Sequence, residues 1–408
     1  MKTAAPLLLA PALLLAGASA PIAAKPAAPL TLERIVMVMR HGIRPPTKAD
    51  PLPAGYTADR WPTWPVEPGL LTPRGAAGAT LLGAGDARRL RARGLLSGSC
   101  PAPGAIVVKA SNKQRTQRTA QAWLDGALPG CRIAVDHPRE GAADPIFHGL
   151  DDKPVDFDGA RALAEAKALL PRGGLAAETR AYRAELALLA RVLKCAAPAC
   201  PLTREQTLLV GEPHDRPGLE GPLDVGSSAS QSLLLEYLEG MPMAQVGWGR
   251  VTRAQIERLL RFHPLKFKYS NRPDYVARAA AAPLVREILA GLSAPGRKVT
   301  LLAGHDTNLA DLGGFLRTHW QVPSYPADDV PPGGAMGFEL LRGASGQRYV
   351  RAFFRAQTMD QLRAQTRLVG RDAAPLRYLA IPGCGTAGVA TSCTFAAFTR
   401  LARARLPS

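Results

Sequence analysis

Leu32-Glu33-Arg34-Ile35-Val36-Met37-Val38-Met39 is a nearly continuous apolar run that ends at Arg40-His41-Gly42. A run rich in β-formers, without polar alternation, is what a strand needs when helices cover both faces of a parallel sheet. The residues that follow alternate between the two periodicities. Thr72 and Pro73 open a helix over 73–93, the threonine as cap and the proline at the first helical position. Residues 105–110 and 132–135 read as strands, with a helix near 113–126 between them. Such alternation builds right-handed βαβ crossovers. From 149 to 271 strand-like runs become scarce and helical ones dominate, at 160–170, 178–194, 228–240 and 252–262. The α/β pattern then resumes with a helix at 274–292 and a strand at 299–303, while 337–341 and 348–355 read as an antiparallel edge. The expectation is an α/β fold with a doubly wound, mostly parallel sheet formed by residues 31–150 and 271–408. Residues 151–270 are expected to form an inserted helical domain.

The 408 residues carry 51 basic and 33 acidic side chains, a formal net charge of +18, on a chain that is 47% hydrophobic and 21% charged. Those fractions belong to a folded globular protein and not to a disordered polycation, and the excess charge points to an anionic partner. Lys2, the apolar residues 7–16 and Ala18-Ser19-Ala20 have the form of a secretory signal peptide over 1–20, followed by a Pro/Ala-rich leader, expected to be disordered, over 21–30. The apolar stretch is too short to span a bilayer and carries Pro6 and Pro11, and no later stretch is long enough. A periplasmic or secreted protein without a membrane span is expected. Six cysteines in an exported chain point to disulfides, and they fall into three local couples: Cys100 with Cys131, Cys195 with Cys200, Cys384 with Cys393. No pair of CxxC motifs offers a zinc site. Export, and the absence of interleaved aromatic and basic residues, argue against nucleic acid.

Three of the strands end on unusual polar clusters: Arg40-His41-Gly42-Ile43-Arg44, the stretch 112–118, and Gly304-His305-Asp306-Thr307-Asn308. In open α/β sheets ligands sit at the carboxyl ends of strands, so these clusters can meet in one pocket. Arginine's fork matches phosphate oxygens bidentately and stays charged, so the set describes a phosphate cradle better than a metal or acyl-transfer site.

Arg40-His41-Gly42-Ile43-Arg44-Pro45-Pro46-Thr47-Lys48 and Gly304-His305-Asp306-Thr307-Asn308 resemble the paired signatures of the histidine acid phosphatase family, in particular its bacterial periplasmic phytase-like branch. Trp61-Pro62-Thr63-Trp64-Pro65, Leu71-Thr72-Pro73-Arg74-Gly75, Gly247-Trp248-Gly249-Arg250 and Pro331-Pro332-Gly333-Gly334 are similar to stretches of that branch in the same order. The resemblance implies that His41 attacks phosphorus to form a phosphohistidine, that Arg40, Arg44, Arg115 and His305 hold the phosphoryl oxygens, and that Asp306 protonates the leaving alkoxide. With a reference carboxyl pKa of about 3.9, that last role implies an acid optimum. Asp306 is also expected to cap a helix over 307–317. No metal or cofactor is implied, and clustered arginines would repel a divalent cation. Thr47, Lys48, Glu236, His263 and Thr307 resemble substrate-binding positions, the middle ones placed by the insertion, which would then serve substrate specificity. Two positions depart from the phytase-like pattern: Ala280 stands where relatives carry an arginine, and Ser111 where they carry an aspartate. Phytate is the leading substrate. A glucose-1-phosphatase-like or broad-specificity acid phosphatase is the alternative, and a non-catalytic polyanion-binding envelope protein the rival from another class. The partner expected is a small phosphomonoester, and the protein is expected to be a monomer.

Overall fold

The structure, a computed structural model, describes residues 1, 30–150, 156–195, 200–385 and 391–407. The signal peptide and leader expected from the sequence lie outside the described residues except at Met1 and Leu30. The chain begins with β1 (Thr31–Arg40), followed by α1 (Pro73–Ala92), β2 (Ile106–Ala110), α2 (Gln114–Ala127) and β3 (Val135–Asp136). Its middle carries the helices α3 (Gly159–Ala168), α4 (Gly174–Ala181), α5 (Arg183–Val192) and α6 (Pro201–Arg204), then a hairpin of β4 (Leu208–Val210) and β5 (Gly218–Glu220). After the hairpin come α7 (Pro222–Leu238), α8 (Arg253–Leu259) and α9 (Phe262–Ser270). The α/β unit then resumes with α10 (Asp274–Ser293), β6 (Val299–Gly304), α11 (Asp306–Leu316), β7 (Ala335–Arg342) and β8 (Arg348–Arg355). The last elements are α12 (Met359–Ala364), β9 (Leu376–Leu379), β10 (Ser392–Thr394) and α13 (Phe395–Arg405).

One sheet organises the α/β unit, in the order β10-β8-β7-β1-β6-β2-β3 with β9 beside β8. Its parallel half is β1-β6-β2-β3, and its antiparallel half is β7, β8, β9 and β10. The α/β reading holds. The antiparallel flank is wider than the two strands expected, and β7 is no edge, since it lies between β1 and β8.

β1 shows why its sequence is apolar throughout. Successive side chains of a strand point to opposite faces. Ile35, Met37 and Met39 pack with Leu82 of α1 and Trp123 of α2, while Val36 and Val38 pack in the core that holds Ile288 of α10 and Leu309 of α11. That second core continues without a break into Leu189 of α5, Leu234 of α7 and Phe262 of α9, so the helical middle of the chain shares its interior with the sheet. Thr72 caps α1 by accepting from the Gly75 amide, and Pro73 takes the first helical position, as the sequence predicts.

Local departures have visible causes. The helix expected over 178–194 breaks at Tyr182, whose ring tilts against Phe262 and carries the Arg261 guanidinium. α7 starts at Pro222, six residues earlier than expected. α9 is an additional helix, because Pro264 falls in its first turn, where no intrahelical amide is lost. The strand expected over 132–135 is only the two residues of β3. All three cysteine couples form disulfides, and among the described residues no helix is long and apolar enough to cross a membrane.

Candidate active site

The parallel half of the sheet brings the polar clusters together. Arg40 pairs in register with Gly304, the His41 amide donates to the Gly304 carbonyl at 2.9 Å, and the Ser111 amide donates to the Ala303 carbonyl at 2.9 Å. The carboxyl ends of β1, β6 and β2 therefore lie side by side. The rings of His41 and His305 meet edge to face with centroids 5.6 Å apart.

His41 is 1% exposed. Its Nδ1 lies 2.8 Å from the Gly42 carbonyl oxygen, which can only accept, so Nδ1 carries the proton and Nε2 presents a lone pair. Burial, and then the charges of Arg44, Arg115 and Arg40, hold its pKa well below the ordinary histidine value, so the ring is neutral. His305 is depressed in the same way, by burial first and then Arg115.

Arg40 is fixed from several sides. One terminal nitrogen donates to the Val330 carbonyl, and the other stands 3.1 Å from Gln231 Oε1 and 2.9 Å from Asp306 Oδ2. Arg44 donates to the Pro45 carbonyl at 2.8 Å, and burial followed by Arg115 and Arg40 pushes its pKa down to about 9. Arg115, the second residue of α2, is lowered by burial. The Nε atoms of Arg40, Arg44 and Arg115 are buried with no hydrogen-bond partner. Three buried guanidinium groups brought together with unpartnered Nε–H donors call for an anion.

Asp306 is the first residue of α11, and the cap is His305, whose amide donates to Asn308 Oδ1 at 2.8 Å; the capping role expected of Asp306 therefore belongs to its neighbour. Burial alone would raise the Asp306 pKa, but Arg40 and then His263 outweigh it and hold the carboxyl well below its usual range. His263 Nε2 lies 3.6 Å from Asp306 Oδ2.

A cleft of about 380 Å³ opens beside these groups, lined by Arg40, Arg44, Thr47, Lys48, His263, Asp306 and Thr307 among others, while His41, His305 and Arg115 lie just outside its lining. A larger hollow of about 610 Å³ has none of Arg40, Arg44, His263 and Asp306 in its wall. Glu236 is a correction: it is 1% exposed, lies outside the cleft lining and accepts the Gly247 amide at 2.9 Å, and burial raises its pKa to about 7. Of the α7 side chains that line the cleft, Gln231 is the one that touches the clustered groups, with Oε1 3.1 Å from Arg40. Its signal was the face of Ser227, Ser228, Gln231 and Ser232, spaced by three and four; Glu236, four residues beyond Ser232, continues the spacing at the margin of that face but is not part of the cleft lining. Lys266 lines the cleft, whereas Lys268 pairs with Glu178. Ala280 packs in an apolar cluster with Phe157 and Val276.

Residues 31–158 match the histidine phosphatase superfamily (branch 2). Phytase AppA of Escherichia coli K12 is 34% identical over 93% of this chain and 93% of its own length. The chain belongs to this superfamily. A glucose-1-phosphatase of Salmonella typhimurium is 30% identical over 86% of the chain and 87% of its own. The Hafnia alvei phytase in complex with tartrate superposes with a TM-score of 0.87 at 32% identity, covering 94% of this chain and 98% of that one. As a branch 2 histidine phosphatase the protein is an enzyme, a phytase-like hydrolase of phosphate monoesters, and the basic floor of its cleft suits a phosphate group.

Proposed function

We propose that this phosphatase is an exported, metal-independent acid phosphomonoesterase that works through a phosphohistidine, with phytate as its leading substrate. The observation that carries the reading is the Nδ1 bond of His41 to its own Gly42 carbonyl, which leaves Nε2 as a neutral nucleophile among three arginines. Nε2 attacks phosphorus while Arg40, Arg44, Arg115 and His305 hold the non-bridging oxygens and offset the charge that accumulates on them. Asp306 delivers a proton to the departing alkoxide and afterwards takes one from the attacking water. Thr47, Lys48, His263, Thr307, Gln231 and Lys266 would contact the rest of the substrate, and the helical residues 151–270 would act as the specificity domain around the α/β catalytic unit. Lys48 and Lys266 at the cleft favour a polyphosphorylated substrate. The three disulfides and the signal-like residues 1–20 support export.

Replacing His41 with Ala is expected to abolish phosphate release from every ester while the fold melts as in the parent, and surviving turnover would overturn the phosphohistidine reading. Phosphate release from phytate and from glucose 1-phosphate at acid pH then fixes the substrate. The likeness to a glucose-1-phosphatase makes the sugar ester the second reading, and a strong preference for it would displace phytate.

A further inference from the structure

The loop ahead of β7 grips both groups that flank Asp306. Asp329 is wholly buried, and its Oδ1 accepts from His263 Nδ1 at 2.6 Å and from the Val330 amide at 2.9 Å. The next carbonyl, that of Val330, accepts from Arg40. Two adjacent residues of one loop thus hold both the imidazole and the guanidinium that approach Asp306 Oδ2. His263 is 5% exposed, its ring 4.3 Å from that of Phe267, and because a carboxylate can only accept, its Nδ1 carries a proton. Only Nε2 is left to face Asp306 Oδ2, at 3.6 Å, and the cleft. The charged groups around the ring are Asp329 and Asp306, Arg40 beyond Asp306, and Lys266 on α9 itself.

We infer that His263, oriented by Asp329, is a positioning residue for Asp306, sharing with it the proton that the leaving group takes. The inference rests on the function proposed above. As the His41–phosphorus bond forms and the ester P–O bond breaks, the proton on the Asp306 carboxyl passes to the leaving oxygen. It is replaced from His263 Nε2, which becomes neutral while Nδ1 still donates to Asp329. When water attacks the phosphohistidine, its hydroxide goes to phosphorus as the His41–phosphorus bond breaks, and its proton goes to Asp306 while the carboxyl returns its own to His263 Nε2, which restores the starting state. Burial opposes a charge on His263, but the carboxylates of Asp306 and Asp329 prevail and raise its pKa, which suits this role.

A contact that merely binds phosphate would not care which alcohol leaves, whereas a proton reservoir would. His263→Asn keeps a donor where Nδ1 was, so Asp329 Oδ1 keeps its partner, and deletes the group facing Asp306. Measured on glycerol phosphate, whose alkoxide must be protonated, kcat/KM is expected to fall about tenfold or more, within the range of general acid catalysis. On 4-nitrophenyl phosphate, whose leaving group departs unprotonated, kcat/KM should change far less, and inhibition by inorganic phosphate should stay as in the parent. Asp329→Asn should show the same contrast in weaker form. Equal losses on both esters, or weakened phosphate inhibition with no contrast between esters, would overturn the inference. His41→Ala, run alongside, separates the two levels: activity there sinks the phosphohistidine reading, whereas a dead His41→Ala with an unselective His263→Asn sinks only the role of His263.

Discussion

Arg40 Nη2 stands 2.9 Å from Asp306 Oδ2 in the floor of the cleft, and the arginine is almost wholly buried. A phosphate ester must compete for the same guanidinium. In the free protein that guanidinium, with His263, overrides the effect of burial and keeps Asp306 ionised below the usual carboxylate range. An anion set against Arg40 weakens this hold, so the Asp306 pKa rises on binding and the acid becomes protonated where it is needed. The acid optimum expected from the sequence is therefore a property of the complex. Inositol hexakissulfate, a polyanion with no group that titrates in this range, makes a clean probe. Its binding near pH 5 is expected to take up protons, read by calorimetry in buffers of different ionisation heat. Asp306→Asn should take up fewer, and an unchanged uptake in that variant would show that the coupling lies elsewhere.

Ser111 Oγ lies 3.1 Å from His305 Nε2 and 3.0 Å from His148 Nε2. One hydroxyl proton serves one ring, so the other ring must donate, and the two imidazoles adopt complementary tautomers. Ser111→Ala strands a buried ring nitrogen of His305 at a cost of about 1–3 kcal/mol. Because His305 is proposed to hold phosphoryl oxygen, inhibition by inorganic phosphate is expected to weaken by roughly tenfold if about 1.4 kcal/mol of that cost reaches the site. An unchanged inhibition constant would show that His305 is oriented by other contacts.

The fold and the heart of the site were legible because both depend on strands. The apolar runs of β1 and β6 announce strands covered on both faces, and the polar clusters follow directly at their carboxyl ends. The rim was harder to read because it depends on helix register and on loops. Glu236 is the more chemical-looking residue of α7, yet Gln231 faces the cleft, five residues and half a turn away. Asp329 gave no signal at all, since a buried loop carboxylate looks like any other aspartate until its histidine partner is placed. Ser111 stood out as a departure from the phytase-like pattern, but its link to His148 joins positions 37 residues apart.

Gly75 and Gly42 bring backbone against backbone where α1 meets the His41 loop. A Cβ on Gly75 would strike the Ile43 carbonyl and come within 2.8 Å of its amide nitrogen, and one on Gly42 would come within 2.7 Å of the Gly75 carbonyl oxygen. No side-chain rotation relieves a clash between main chains. Gly75→Ala is expected to lower the urea-unfolding free energy by about 1–3 kcal/mol and to reduce activity by displacing the loop between Arg40 and Arg44. Gly78→Ala on the same helix meets only the side chains of Leu362 and Gln365, at 3.3 Å or more. It should stay within about 1 kcal/mol of the parent, since alanine favours the helix by about that amount. Equal effects of the two substitutions would refute the backbone contact as the cause.

Glu339 of β7 is wholly buried, with Oε1 at 2.5 Å from both Arg89 and Arg93 of α1 and Oε2 at 2.9 Å from Arg351 of β8. Burial alone would raise its pKa, but Arg89, Arg93 and Arg351 together bring it below the ordinary glutamate value. A carboxyl with a folded pKa lower than its unfolded one stabilises the protein above the unfolded pKa, and that stabilisation fades as pH falls through the folded value. Glu339→Gln leaves three arginines facing a neutral amide. Since those arginines keep some access to water, the loss at neutral pH is expected at the lower end of the buried-pair range, about 3 kcal/mol. In urea titrations the gap between variant and parent should be constant from pH 7 down to about pH 5 and then close as the native carboxyl takes its proton. A gap that persisted unchanged into strong acid would mean that the glutamate acts by packing and not by charge, because protonation makes the parent side chain as neutral as the amide.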